Sequence, residues 1–477
     1  MGAAAAVLTD AAFVSTVAIS VFLIAYLVIW NASQIVMSPV AAIYLWLHQR
    51  RNTRRARALV AHTVSPPLVS IVMPAYNEAV TIVESVRALL ALDYARLEIV
   101  VVNDGSTDDT LMRLTDTFHL LPAPRAFVQP LSSAPVRGLY RSTRHPGLLV
   151  IDKQNGKCKS DAANAGINAA SGALVAIIDA DTILERDALA RAITPFLEDP
   201  KTVAVGGNVG IANGCRIREG RVDEIALPRN WLARFQIVEY MRSFLLFRLA
   251  CASGNGVVII SGAFGLFRRD AVIAVGGYDT TAIGEDMDLT IRLQRHFREL
   301  GQPFRIGFDP NPLVWTQAPE DWRSLRFQRY RWRRGLLQVL WRNRRMLGNP
   351  RFGFVGMAVL PYAALFEGLG PLLELAGYVV LILGAVSGTL SPQFWLVAFA
   401  VSVLSGSAIT FAAVLLSDLG TRQYMRGRDL LLLGVVVLVE NCGYRQWNSW
   451  WACVGTYQTL TGKGGWGEMK RKAFEGV

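Results

Sequence analysis

The chain has 477 residues, 52% of them apolar and only 18% charged, with a mean hydropathy of +0.31, whereas a soluble globular domain carries about 25% charged residues. That balance excludes a wholly cytosolic enzyme, a disordered chain and a small disulfide scaffold, and it places at least one folding unit in lipid. The formal net charge of +12 then reads as positive-inside topology and contact with anionic lipid headgroups, and no nucleic-acid partner is expected.

No charged side chain occurs between Ala11 and Leu47. A helix over that run, rising 1.5 Å per residue, would be about 56 Å long, nearly twice the hydrocarbon core. Within residues 1–50 one span is placed near Ala11 to Trp30, followed by an interfacial extension that holds Asn31, Ser33, Gln34 and Pro39; a second, short span is the alternative. His48, Arg50, Arg51, Arg54, Arg55 and Arg57 crowd just after the run, and no basic residue precedes it. That asymmetry argues against a cleaved signal peptide and sets the next domain in the cytoplasm. Residues 51–65 form a basic linker.

Over residues 66–318 short β-branched runs, LVSIVM at 68–73, LEIVVV at 97–102 and LVAII at 174–178, alternate with amphipathic stretches. The pattern predicts an α/β domain with a largely parallel sheet and ligands at the carboxyl ends of its strands. Residues 319–350 read as interfacial helices, and 351–477 return to lipid-compatible composition. There Phe366–Leu390, despite Glu367 and Glu374, and Phe394–Leu416 form an out-and-back hairpin closed by Arg422, Arg426 and Arg428. Leu430–Val439 is too short to span and reads as re-entrant or interfacial, before a basic tail with Lys470, Arg471 and Lys472. The five cysteines form no C-x-x-C pair and fit ordinary reduced thiols; Lys157 and Lys159 flank Cys158 in a way that would lower its pKa.

Two acidic clusters end strands: Asp104 in VNDGSTDD, and Asp179 with Asp181 in DADT. A D-x-D turn suits Mg²⁺ or Mn²⁺, leaving coordination positions open to phosphates, although each aspartate alone also suits a turn or helix cap. In GEDMDL, Asp286 and Asp288 are both candidates for a carboxylate base, or simply for an acidic helix start. In QRYRWRRG, Gln328, Arg331 and Trp332 share one helical face. Arginine offers a fork to phosphate and tryptophan a ring for a sugar. The plainer alternative is an interfacial helix, which Trp322, Arg323, Arg326, Arg333 and Arg334 also fit.

The succession MPAYNE at 73–78, VNDGSTDD at 102–109, KSDAANAG at 159–166, DADT at 179–182, SGAFG at 261–265, GEDMDL at 284–289 and QRYRWRRG at 328–335 resembles the motifs of inverting family 2 glycosyltransferases. Its Q-x-x-R-W is similar to the signature of processive members, such as cellulose, hyaluronan and poly-N-acetylglucosamine synthases. The resemblance covers Ser70 to Gly335. It implies a GT-A (Rossmann-like) α/β cytosolic domain joined to transmembrane and interfacial helices, a UDP-sugar donor and a divalent Mg²⁺ or Mn²⁺. By resemblance, Ala75, Asn77, Glu78, Asp104, Lys159 and Asp179 bind the donor, Asp104 at the uridine and Lys159 near the diphosphate. Asp181 holds the metal. Asp286 is the general base with Glu285 beside it, in G-E-D where T-E-D is more common. Gly262, Phe264, Gln328, Arg331 and Trp332 meet the acceptor or product. The tail GKGGWGEMKRKAF resembles a segment that closes over the nucleotide in related synthases, which makes Trp466 and Arg471 gating candidates.

The implied function is a multi-pass synthase of the inner or plasma membrane. It would polymerise a β-linked polysaccharide from UDP-N-acetylglucosamine, or next from UDP-glucose, and pass it across the bilayer, with accessory secretion or modification subunits as candidate partners. The alternatives are transfer of one sugar to a lipid acceptor, and a degenerate receptor or scaffold.

Overall fold

In the computed structural model, which describes residues 2–51, 65–218, 221–388, 391–420, 424 and 427–462, the chain begins with one long helix, α1 (Gly2–Arg51), unbroken at Pro39. The polar residues that were expected to interrupt it have partners on other helices. Asn31 Nδ2 donates to Ser405 Oγ at 3.2 Å and Gln34 Nε2 to Tyr362 Oη at 2.8 Å, so other helices, not headgroups, satisfy them. Among the described residues, three helices are long and apolar enough to cross a membrane: Ala18–Arg50, Val355–Val386 and Ala400–Gly420.

The β-branched runs become β1 (Val69–Ala75) and β2 (Leu97–Asn103), with β3 (Leu120–Pro122), β4 (Val136–Ser142) and β5 (Leu148–Lys153) on one flank. On the other flank lie β6 (Leu174–Ile178), β7 (Ile183–Leu184) and β8 (Thr202–Ile211). A two-stranded ribbon, β9 (Arg216–Arg218) with β10 (Arg221–Glu224), stands apart. Adding β11 (Phe264–Arg268) and β12 (Arg305–Thr316) gives a ten-stranded sheet of order β3-β4-β5-β2-β1-β6-β11-β8-β12-β7. The block β5-β2-β1-β6 is parallel and fully buried at its centre, as strands covered on both faces require. The sheet as a whole is mixed, because β11 runs antiparallel between β6 and β8. That reversal has a use: Phe264 at the start of β11 pairs with Ile178 at the end of β6, so the SGAFG turn lies beside DADT.

Helices α2 (Ile82–Leu90), α3 (Thr110–Phe118), α4 (Lys159–Ala169) and α5 (Ala188–Glu198) connect these strands. In α2 the buried Ile82, Val86 and Leu89 form the apolar stripe that the 3.6-residue period requires. After β10, α6 (Trp231–Met241) runs through a π-helical stretch, Arg242–Arg248, into α7 (Leu249–Ser253). Then come α8 (Arg269–Ala274), α9 (Glu285–Glu299) and α10 (Trp322–Arg342). Asp321 caps α10, accepting from the Ser324 backbone N–H at 2.9 Å. Gly335 on α10 lies against Gly284 at the start of α9: a methyl group at Gly335 would stand 3.0 Å from the Gly284 Cα. The two motifs therefore meet backbone to backbone, with little room for a side chain at Gly335.

The C-terminal part comprises α11 (Gly370–Val386), α12 (Pro392–Gly420), α13 (Gly427–Val439) and α14 (Tyr444–Thr461). The end of α1 is pinned both to this part and to the sheet. Gln49 Nε2 donates to the carbonyls of Leu419 and Gly420 at 3.1 and 2.9 Å, and Tyr44 Oη to the Phe308 carbonyl at 3.3 Å. The sheet domain is thereby seated directly on the apolar helices.

Candidate active site

The turns after β1 and β2 are built as a pair. The Asp104 N–H donates to the Ala75 carbonyl at 2.9 Å. Asn77, in the left-handed region at φ 55°, donates its N–H to Ser106 Oγ at 3.0 Å and accepts from the Thr107 N–H at 2.8 Å. The Glu78 N–H donates to Thr110 Oγ1 at 2.9 Å. Ala75, Asn77 and Glu78 thus latch the two turns together. Gly105 completes the turn at φ 65°, where a Cβ would come within 2.7 Å of the Asn155 nitrogen.

Asp104 is buried, and it pairs with a residue that sequence reasoning missed. Lys153, wholly buried at the end of β5, forms ion pairs with both Asp104 and Asp161, the latter at 2.6 Å. Asp104 Oδ1 also accepts from the Gly156 N–H at 2.9 Å, and Asp161 Oδ2 from the Ala134 N–H at 2.9 Å. The available signal was the lysine closing the apolar strand LLVIDK, since a buried lysine needs partners. This anionic surrounding agrees with the ordinary thiol expected at Cys158. Burial pushes its thiol pKa up and Asp161 and Asp104 push it further, so the flanking lysines do not activate it.

The second half of the site forms a polar chain across four elements. Lys159 at the start of α4 pairs with Asp179 Oδ1 at 2.5 Å and donates to the Gly262 carbonyl at 2.9 Å. The Gly262 N–H donates to Asp286 Oδ2 at 3.2 Å, and Asp286 Oδ1 accepts from the Met287 N–H at 2.8 Å. Asp288 points elsewhere: it is buried and pairs with Arg292 at 2.7 Å, which also holds the carbonyls of Val275 and Gly277. Asp286 and not Asp288 therefore faces the site.

Electrostatically the pocket is a crowd of carboxylates held by few cations. Burial, and then Asp179, raises Asp181 to about 6. Burial, and then Asp286, raises Glu285 to about 7. Burial opposes the Lys159 charge, but Asp179, Glu285 and Asp286 outweigh it and its pKa is raised. Arg331 lies close enough to favour the charged forms of both Asp181 and Glu285. Among the described residues no three His, Cys, Asp or Glu side chains form a closed metal cage. The two hard carboxylates of DADT fit an open site, where a divalent ion would relieve their crowding and keep positions for phosphate oxygens.

On α10, Gln328 is buried, Arg331 half-buried and Trp332 41% exposed, so the motif does present a ring to the outside. One expectation fails. Phe264 is only 1% exposed and packs into the core, leaving no surface for an acceptor, because the antiparallel β11 is buried between β6 and β8. Arg333, which also fitted the plainer interfacial alternative, is buried, donating to Thr456 Oγ1 at 2.8 Å and to the carbonyls of Glu367 and Gly368. Trp322 sits ten residues before Trp332 against Trp451, at a centroid distance of 5.6 Å. Trp466 and Arg471 lie outside the described residues.

The profile of "Glycosyl transferase family 2" matches residues 70–125, the strands and turns that carry Asn77 and Asp104. Poly-beta-1,6-N-acetyl-D-glucosamine synthase of Staphylococcus aureus (strain COL) is 31% identical over 275 residues, 58% of this chain and 56% of that protein. The synthase of the same name from Staphylococcus epidermidis is 27% identical over 304 residues, 64% of this chain and 63% of that protein. The match thus spans little more than half the length of these relatives. Among solved structures, a mannosyltransferase from Pyrobaculum calidifontis in complex with GDP-Man and Mn²⁺ shares the fold, with a TM-score of 0.51 at 20% identity, covering 90% of this chain and 99% of that one. The profile of "Glycosyl transferase family group 2" matches residues 174–415, from β6 through DADT, SGAFG, GED and the α10 motif into α12; by that match over half of its length, the chain belongs to glycosyl transferase family group 2.

Proposed function

We propose that the chain is an inverting hexosyltransferase that extends a β-linked polysaccharide from a UDP-sugar at the membrane surface. UDP-N-acetylglucosamine is the first donor candidate and UDP-glucose the second. The observation that carries this reading is the polar chain Asp179–Lys159–Gly262–Asp286, placed where α9 and the Trp332 helix touch through Gly284 and Gly335. The similarity to poly-N-acetylglucosamine synthases supports the donor. In this proposal residues 66–318 bind the donor, 319–350 line the membrane surface, and the basic residues after α1 keep the domain cytoplasmic.

In the single displacement, the acceptor oxygen bonds to the anomeric carbon while Asp286 takes its proton. The bond from that carbon to the diphosphate breaks, and UDP leaves with the electron pair. Asp104 holds the uracil end, fixed from behind by Lys153. Lys159 and Arg331 place positive charge where the diphosphate charge develops. A divalent ion held by Asp181 beside Asp179 would supply further charge neutralisation there. EDTA is therefore expected to abolish UDP release and added Mg²⁺ or Mn²⁺ to restore it; full activity in excess chelator would reject Asp181 as a ligand.

Glu285 sets a pH dependence. As an acid raised from 4.5 to about 7, it contributes stability that is present below its ordinary pKa and lost as pH rises through about 7. Protonating it removes a negative charge beside Asp286 and weakens that base. The acid limb of the kcat/KM profile should therefore lie near pH 7, and Glu285→Gln should remove or displace it. An unchanged limb in that variant would exclude Glu285.

Product length tests the reading directly. Trp332→Ala should bind UDP and add sugar to an oligosaccharide only at raised acceptor concentration, making no long polymer, because a terminal sugar loses its stacking platform. Trp322→Ala, altered outside the motif, should retain most synthesis. Polymer of wild-type length from Trp332→Ala would overturn the acceptor role, and a single added sugar from the wild-type protein would replace the synthase by a one-step lipid glycosyltransferase.

A further inference from the structure

Arg329 lies inside Q-x-x-R-W at a position the motif leaves open, yet it is buried and held at both ends of its guanidinium fork. Its Nη1 and Nη2 each donate to Glu239 of α6 at 2.7 Å, one to each carboxylate oxygen. Nη2 also donates to Tyr444 Oη of α14 at 3.1 Å, and that hydroxyl donates to Glu239 Oε2 at 2.8 Å. Tyr444 is itself stacked on Phe235 of α6, with centroids 4.8 Å apart. The guanidinium carbon stands 4.7 Å from the centroid of the Trp332 ring, and Tyr240 approaches that ring at 6.4 Å. Arg329 is buried, whereas Trp332 remains 41% exposed.

We infer that Arg329 is a positioning residue for Trp332: Glu239 and Tyr444 clamp its guanidinium plane against the indole, so that the ring is pre-set to receive the terminal acceptor sugar. This rests on the acceptor reading of Trp332 given above. An arginine serving only to bridge α6, α10 and α14 would need only its bonds to Glu239 and Tyr444. The geometry adds a planar cation over the ring, and the fork that holds it limits its rotation. A ring fixed beforehand loses less freedom when a sugar stacks on it, which lowers the acceptor KM more than it changes the chemical step.

The test uses the full chain in detergent or nanodiscs, with UDP-N-acetylglucosamine as donor and a β-1,6-linked N-acetylglucosamine tetramer as acceptor. Arg329→Lys keeps the charge opposite Glu239 but loses the plane and the fork. It is expected to raise the tetramer KM by about five- to tenfold, with the donor KM changed by less than about twofold. Tyr444→Phe, which leaves the bidentate pair intact, should give a smaller rise in the same constant. In a Trp332→Ala background Arg329→Lys should add no further loss, because its effect passes through the ring. If Trp332→Ala raises the tetramer KM while Arg329→Lys and Tyr444→Phe leave it unchanged, or if the effects of Arg329→Lys and Trp332→Ala simply add, the positioning role is wrong. If Trp332→Ala itself leaves that KM unchanged, the acceptor reading beneath it has failed instead.

Discussion

Asp286→Asn is expected to lower kcat by about 10²-fold or more, the contribution of a positioned general base, while changing UDP affinity little. The substitution is nearly isosteric, and the amide oxygen can still accept from the Met287 N–H that now meets Asp286 Oδ1 at 2.8 Å. It cannot accept a proton from an acceptor hydroxyl. The Lys159 pair with Asp179 and the Asp104 turn remain for the nucleotide, so titration with UDP should match wild type. Asp288→Asn supplies the contrast two residues on. It weakens the buried pair with Arg292, so its loss should appear in thermal stability more than in turnover of the folded protein. Equal losses of UDP affinity and kcat in Asp286→Asn would make Asp286 a donor-binding or structural residue.

Lys153→Met is expected to have the largest effect on stability. Lys153 is fully buried between Asp104 and Asp161, and methionine matches its volume without its charge. Two buried carboxylates would lose their shared cation, and breaking a buried pair in this way costs about 3–5 kcal/mol. Thermal unfolding in detergent should shift down by several degrees, and the folded remainder should retain UDP poorly because Asp104 is no longer fixed. Lys153→Arg would keep the charge but not the fit, and should fall between. Wild-type melting and UDP retention in Lys153→Met would mean that backbone donors such as the Gly156 N–H suffice to hold Asp104.

The parts of the candidate site that lie at strand ends were legible in the sequence, because β-branched runs followed by Asp104 or by Asp179 and Asp181 carry both the strand and the candidate acidic group in consecutive residues. β1, β2 and β6 accordingly fall on the runs that predict them. Periodicity carries no information about direction, and so the antiparallel β11 in a sheet expected to be largely parallel was not legible. Phe264 was misplaced for the same reason: its motif is right, but the strand that buries it comes from pairing across the sheet. Lys153 and Glu239 depend on partners far along the chain, Asp104 and Arg329 respectively, which no local pattern reveals. In α1 the polar residues Asn31 and Gln34 looked like an interruption, because their partners Ser405 and Tyr362 are supplied more than three hundred residues later.

The most direct test is to supply the purified full chain, in nanodiscs, with a panel of radiolabelled UDP-sugars and to size and digest whatever product forms. UDP-N-acetylglucosamine is expected to give UDP release together with a polymer of many residues, cleaved by an enzyme specific for β-linked N-acetylglucosamine and absent from the Asp286→Asn protein. A product that stops at one sugar on a lipid, or UDP release with no glycan from any donor in the panel, would contradict polymer synthesis by this chain.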